Sequence, residues 1–443
     1  MQQQLLTEHE FDPALPGWRV RVLLTITGVA SAAARVPLGV ALVLDRSGSM
    51  AGSKIDAARD AAAGLIRRLH PSDRIGVVLF DDVVETLSDP VTGADQGGLL
   101  NDLARVDVRG STNLSGGWLR GRDQMASLPN LGSIRRVLLL TDGQANCGIT
   151  DHARLAALSG LARAQGISTS AIGFGDDYDE ELLKAMADAG GGNLWHIERT
   201  DQAQQVFQEE LAGLQSLSAQ NLAVELRPSA DVASFVVVHD YPASVLPDGR
   251  RIELGDLYAR EPRKLLVEFV VPARTPDVRS DLAVAHVQLS AHVLLVDGGI
   301  ELRVMMFPVA LTLEGQGSTH PEVRREVVLL AAAKARDEAV ERARAGDVES
   351  ASHLLRDQAR TMRASGLEDA VVLAQASDLE QTACELESLG VREQDMKYMK
   401  QRAYNQYRGK ASYDAMLARP MPPDDALAVP PIPPRRPRKP KST

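Results

Sequence analysis

The chain has 443 residues, 44% of them hydrophobic, 4% aromatic and 24% charged, with a formal net charge of −10. That length exceeds one ordinary domain, the hydrophobic share excludes wholesale disorder, and the acidic balance argues against nucleic-acid binding through bulk charge. Two cysteines, Cys147 and Cys384, make no disulfide framework, and neither stands at a metal-ligand spacing.

The opening Met1-Gln2-Gln3-Gln4-Leu5-Leu6-Thr7-Glu8 is polar, then acidic. It lacks the basic region and apolar core of a secretion signal, and residues 1–17 read as a tail. No apolar run approaches the roughly 20 residues that span a bilayer, so a cytoplasmic protein without a membrane span is expected. Within 18–36, Trp18–Thr27 is rich in β-branched and partly alternating apolar residues, which predicts a strand.

Residues 37–218 alternate apolar runs with helical patterns. The runs Leu38–Leu44, Arg74–Phe80, Arg136–Thr141 and Ile167–Gly173 are nearly continuous, as strands buried on both faces are. Helical stretches follow at Ser53–His70, Asn113–Leu128, Asp151–Gln165 and Asp179–Ala189. This alternation predicts an α/β fold, a doubly wound and mainly parallel sheet with helices on both faces. Asp82–Leu87 follows Arg74–Phe80 too closely for a crossover helix and is expected to be an antiparallel edge strand.

Residues 219–316 change character. Leu222–Arg227, Ser234–His239, Arg250–Leu254, Lys264–Val270, Leu282–Val296 and Glu301–Leu313 are strand-like, and Val296-Asp297-Gly298-Gly299 is a hairpin signal. A β-sandwich is expected. If strand 18–27 joins it, the α/β unit is inserted in the β-domain and clamped at both ends. Residues 317–410 are helical, with breaks at Ala345-Gly346-Asp347, Ser365-Gly366 and Leu389-Gly390 that imply antiparallel neighbours. Residues 411–443 form a Pro-rich basic tail, expected to be polyproline-like or disordered.

The chemistry lies at the carboxyl ends of the predicted strands, where ligands bind in doubly wound sheets. The first strand runs into Asp45-Arg46-Ser47-Gly48-Ser49, a loop carries Gly110-Ser111-Thr112-Asn113-Leu114, and a third segment is Thr141-Asp142-Gly143. Hydroxyls of Ser47, Ser49 and Thr112 and carboxylates of Asp45 and Asp142 are oxygen donors suited to a hard cation, Mg²⁺ first, with Mn²⁺ or Ca²⁺ as alternatives. No soft ligand stands nearby, which disfavours zinc and copper.

These segments resemble the metal-ion-dependent adhesion site of von Willebrand factor type A domains, complete and in order across all five positions. The resemblance implies that Ser47, Ser49 and Thr112 ligate the ion. Asp45 and Asp142 would act largely through water and orient the hydroxyls, and a partner's Asp or Glu would complete the coordination. Gly255-Asp256-Leu257-Tyr258-Ala259 resembles, more weakly, the β-region of bacterial proteins of the inter-α-trypsin-inhibitor heavy-chain-like type.

Blander readings stand beside these. Asp45-x-Ser47-x-Ser49 alone reads as an N-cap ahead of the helix near Ser53. Gly48-Ser49-Met50-Ala51-Gly52-Ser53-Lys54 has the wrong spacing for a phosphate loop, and Gly173-Phe174-Gly175 reads as a turn. His70 reads as a helix-end cap, His286 and His292 as packed or exposed strand residues, and Cys147 as a half-buried loop residue. The expected function is a non-enzymatic, metal-dependent protein-interaction scaffold. The alternatives are an adaptor for an AAA+ ATPase or a kinase or phosphatase system acting in trans, and, less favoured for want of a general base, a metal-dependent hydrolase.

Overall fold

The computed structural model describes residues 1–12, 17–29, 36–94, 96–128, 133–259, 261–272, 280–295, 299–313 and 317–409. The chain opens with a hairpin, β1 (Gln2–Asp12) against β2 (Gly17–Thr27), paired antiparallel from Gln2↔Thr27 to Asp12↔Gly17. This corrects the reading of residues 1–17 as a tail. The Gln-rich stretch is exposed, so its composition looks unstructured. Its order comes from the backbone of β2, none of whose residues is exposed.

The α/β unit follows as β3 (Leu38–Asp45), α1 (Ser53–Arg67), β4 (Arg74–Phe80), β5 (Val84–Thr92), α2 (Gly97–Leu103) and α3 (Leu114–Ala126). It continues with β6 (Ile134–Thr141), α4 (His152–Ala164), β7 (Ile167–Phe174), α5 (Glu180–Gly190), β8 (Gly191–Ile197) and α6 (Ala203–Gln215). Its strands lie in the order β5-β4-β3-β6-β7-β8, parallel except β5, which pairs antiparallel with β4 as its short connection requires. Every residue of β3, β6 and β7 is buried, which is why apolar residues dominate them without alternation, while Arg135, Arg136 and Ser168-Thr169-Ser170 are buried polar exceptions. One face is covered by α1, α2 and α6, the other by α3, α4 and α5. The sequence reading missed α2, β8 and α6. Strand β8 begins Gly191-Gly192-Asn193 with Gly191 at φ +71°, a turn-like opening that hides a strand defined by its parallel partner β7.

The second β-region comprises β9 (Leu217–Pro228), β10 (Ser234–Val237), β11 (Ala243–Leu246), β12 (Gly249–Tyr258), β13 (Pro262–Pro272), β14 (Ser280–Leu294), β15 (Ile300–Leu313) and β16 (Gly317–Ser318). Two five-stranded sheets result, β10-β13-β2-β1-β16 and β11-β12-β9-β14-β15, and their inner faces share one core that includes Trp18, Leu254 and Phe269. The α/β unit therefore leaves the β-region from β2 in one sheet and re-enters it at β9 in the other. Hairpin β14–β15 forms as expected, while Asp297 and Gly298 of its turn, and the tail 411–443, lie outside the described residues.

Four helices close the described chain: α7 (Pro321–Arg344), α8 (Val348–Ala364), α9 (Ala370–Leu389) and α10 (Glu393–Tyr407). They share a core of their own and break where the glycines indicated, with Gly346, Gly366 and Gly390 at positive φ. None of the described helices is long and apolar enough to cross a membrane. Helix α7 docks on the β-region through Val323 and Leu330 against Leu23 and Leu266. Beside that contact the fully buried Glu326 lies 2.6 Å from Lys264 Nζ and 3.4 Å from His239 Nε2.

Burial alone would raise the Glu326 carboxyl, but His239 and Lys264 outweigh it and bring it down to about 2. A carboxylate held below its unfolded value near 4.3 stabilises the fold above that value and loses the contribution as pH falls toward 2. Stepwise acidification over this window is expected to remove about 3 kcal/mol. Urea unfolding at each pH measures it, and Glu326→Gln should flatten that slope.

Candidate metal centre

Strand β3 turns toward β4 on one side, and the chain crosses to β6 on the other, so the sheet's switch point lies between β3 and β6. Asp45 ends β3, and Thr141-Asp142 ends β6 beside it, with Leu44 opposite Leu140. A crevice opens at that point beyond the strand carboxyl ends.

Asp45 is completely buried. Its Oδ1 accepts from the Ser47 backbone N at 2.8 Å, and its Oδ2 accepts from Thr141 Oγ1 at 2.5 Å. Burial pushes the Asp45 carboxyl up to about 6, against the pull of these hydrogen bonds and with a further push from the Asp142 charge. The turn carries Ser47 Oγ to 3.1 Å from Ser49 Oγ. Ser49 Oγ donates to Asp142 Oδ1 at 2.7 Å, while Asp142 Oδ2 meets Lys54 Nζ at 2.5 Å.

Thr112 arrives from the third segment. Gly48 N donates to Gly110 O at 3.2 Å, tying the two loops together. Gly110 has φ +69°, and a Cβ there would strike the Asp82 carboxylate, so the loop requires glycine. The Thr112 carbonyl accepts from Asn146 N and Cys147 N, and Asn113 caps α3 by accepting from Gly116 N at 3.0 Å. An added Cβ at Gly143 would lie 3.3 Å from Thr112 Oγ1 and 3.6 Å from Ser49 Oγ, so both hydroxyls border the backbone after Asp142. All five sequence-derived residues thus come together. The Asp-x-Ser-x-Ser turn does not cap α1, whose N-cap is Gly52.

Several contributors were not legible. The buried carboxylate of Asp81 accepts from Arg46 Nε at 2.6 Å, from Arg109 Nε at 2.8 Å and from Val83 N at 2.7 Å. Burial opposes ionisation there, yet these donors hold the Asp81 carboxyl below its ordinary value. The clasp braces the loops that carry Ser47 and Thr112 against each other. An Arg at the middle position of Asp45-Arg46-Ser47, with an Asp just after the next strand, was the available signal.

The crevice extends into a cleft of about 730 Å³. Its inner wall includes Ser49, Thr112 and Asp142, and its far wall comes from the helical region as Arg344, Lys397 and Lys400. The buried Lys397 donates to Tyr178 O at 3.1 Å and lies 3.5 Å from the centre of the Tyr178 ring, so α10 is seated on the loop that follows β7. His152 also faces the cleft, with Nε2 2.9 Å from Asp179 Oδ2. His70 closes its turn by bonding Ser72 and Asp73. His286 and His292 are exposed on β14, and both cysteines are free.

The donor set fits a hard divalent cation: it is made of hydroxyl and carboxylate oxygens only, gathered at the carboxyl ends of β3 and β6. Among the described residues no group of three or more His, Cys, Asp or Glu could hold a metal elsewhere.

Comparison with known proteins agrees with the fold. The model of the von Willebrand factor type A domain matches residues 40–209. Uncharacterized protein sll0103 of Synechocystis is 26% identical over 376 residues, covering 81% of this chain and 86% of its own. Inter-alpha-trypsin inhibitor heavy chain H1 of Sus scrofa is 32% identical over 186 residues, 39% of this chain but only 20% of that protein. The solved von Willebrand factor type A structure from Catenulispora acidiphila superposes with a TM-score of 0.68 at 17% identity, covering 90% of this chain and 96% of that one, and shares the fold. With the parallel sheet and its carboxyl-end crevice on the same residues, the chain carries a von Willebrand factor type A domain at residues 40–209.

Proposed function

We propose that this chain is a non-enzymatic, cytoplasmic binding module. It holds a divalent cation, Mg²⁺ by preference, at Ser47, Ser49 and Thr112, with Asp45 and Asp142 orienting those hydroxyls. Through that ion it captures an Asp or Glu side chain of a protein partner. The observation that carries the reading is the convergence of three hydroxyls and two fully buried carboxylates, from three distant segments, beyond the carboxyl ends of β3 and β6, with Ser49, Thr112 and Asp142 lining one cleft.

The chain's own residues divide the work. Asp45 fixes the turn through Ser47 N, so Ser47 and Ser49 point to the same side. Asp142 orients Ser49 by accepting its proton, which leaves the oxygen lone pairs of Ser49 directed elsewhere. The Arg46–Asp81–Arg109 clasp holds the Thr112 loop in register. When bound, the ion supplies an electrophilic position that a carboxylate can fill.

The test is a pull-down with the tagged full chain from native-host extract, divided between Mg²⁺ buffer and EDTA, beside Asp142→Ala. A protein retained only by wild type with Mg²⁺ supports capture, whereas identical eluates in all arms sink it. A hydrolytic reading has one observation in its favour, the His152–Asp179 pair on the same cleft. Phosphoester turnover that requires Mg²⁺ and disappears in Asp142→Ala would favour hydrolysis over capture.

A further inference from the structure

The phosphate-loop-like stretch ends in Lys54, and the capture reading leaves that residue without a role. Lys54 is the second residue of α1, in a first turn whose helix dipole disfavours a cation. Helix stability therefore does not account for an ammonium there. Its side chain runs past Gly175, where an added Cβ would lie 3.4 Å from Lys54 Cε, and its Nζ ends 2.5 Å from Asp142 Oδ2. That is the oxygen Ser49 does not use. The lysine side chain is 26% exposed, while the carboxylate it meets is completely buried.

We propose that Lys54 sets the charge of the metal centre, weakening its hold on the ion and making the loaded site select an anion. The proposal rests on the metal reading above. Asp45 and Asp142 carry two negative charges, and the Lys54 ammonium cancels one. A divalent ion converts the single remaining negative charge into a single positive one, which a carboxylate neutralises. Without the lysine the loaded site is neutral, so the ion is held more tightly and an incoming carboxylate gains less.

The effect of removing one unit charge a few ångströms from the ion, at the screening of a partly exposed site, is on the order of ten- to fifty-fold in affinity. A purely structural ion pair predicts the opposite sign, because its loss would loosen the donor set and weaken ion binding.

The experiment is calorimetric titration of Mn²⁺ into the full chain as wild type, Lys54→Met, Lys54→Gln and Lys54→Arg, with circular dichroism verifying each fold. Both neutral variants are expected to bind Mn²⁺ about ten- to fifty-fold more tightly, and Lys54→Arg to keep the wild-type affinity. Glutarate, added as a carboxylate probe to the Mn²⁺-loaded proteins, should bind wild type more tightly than Lys54→Met. Unchanged or weaker Mn²⁺ binding by folded Lys54→Met and Lys54→Gln, beside a wild type that does bind, overturns this proposal alone. A wild type that takes up no Mn²⁺ overturns the metal reading with it.

Discussion

Replacing Asp256 with alanine is expected to destabilise the chain by about 3–5 kcal/mol, the cost of stripping one partner from a buried ion pair. Arg136 is fully buried at the start of β6, and its guanidinium meets Asp256 Oδ2 of β12 at 2.6 Å. The remaining contacts belong to a buried network. Arg136 also reaches Ser170 Oγ at 3.2 Å, Ser170 donates to Glu210, and Asn193 and Trp195 donate to the same carboxylate. Arg136 is held protonated above its ordinary value by Tyr258, Asp256 and Glu210 against the opposing effect of burial.

Alanine at Asp256 would leave a buried charged guanidinium without its directly paired carboxylate, held only by the hydroxyls of Ser170 and Tyr258 and the more distant charge of Glu210. Urea unfolding should report the loss, and a change below about 1 kcal/mol would mean that water replaces the carboxylate. Arg136→Met with Asp256→Leu should recover most of the stability, because replacing both members removes the unpaired charge. The pair also bears on the site. Strand β6 runs from Arg136 toward Asp142, so the β-region grips the far end of the strand that presents a candidate oxygen donor. This gives the Gly-Asp-Leu-Tyr motif a physical role: Gly255 at φ +82° lets β12 bulge, and Asp256 crosses into the α/β unit.

Asp45→Asn is expected to do opposite things with and without the ion. Burial raises the Asp45 carboxyl to about 6, above its unfolded value near 3.9. For an acid shifted upward, ionisation costs the folded state stability. The cost is absent below about pH 3.9, grows through the interval and is fully present above about pH 6. At pH 7 in EDTA the amide should therefore stabilise the fold, by on the order of 2 kcal/mol, since it can still accept from Ser47 N and face Thr141. With Mg²⁺ the wild type should gain a rise in Tm that the variant lacks, and affinity in the variant should fall by about 10–100-fold or more. Thermal melts in Mg²⁺ and EDTA read both effects. An equal Mg²⁺ shift in the two proteins would remove Asp45 from the metal centre.

Much of this molecule is written locally. Strands β3, β6 and β7 are buried on both faces, so their apolar residues follow one another without alternation, as in Leu38–Leu44 and Val137–Leu140, and they are legible for that reason. The five candidate donors follow the same logic, since each lies in a short segment at a strand end or loop where a doubly wound sheet binds ligands. The helix breaks at Gly346, Gly366 and Gly390 were likewise local, because a positive φ favours glycine.

Only the tertiary structure decided the rest, because those features depend on partners far along the chain. Strand β1 is polar and exists through β2. Strand β8 opens with glycines and exists through β7. The Arg136–Asp256 pair joins residues 120 apart, and the Lys397–Tyr178 contact that seats α10 over the candidate cleft joins residues 219 apart. Lys54 stands just beyond the Asp-x-Ser-x-Ser turn, but its meaning depended on Asp142, 88 residues away. Composition and periodicity report what a side chain needs around it, burial or water, and so determine elements and donor types. Which distant groups meet is set by the packing of layers, and that decided the contact of Lys54 with Asp142 and the walls of the cleft.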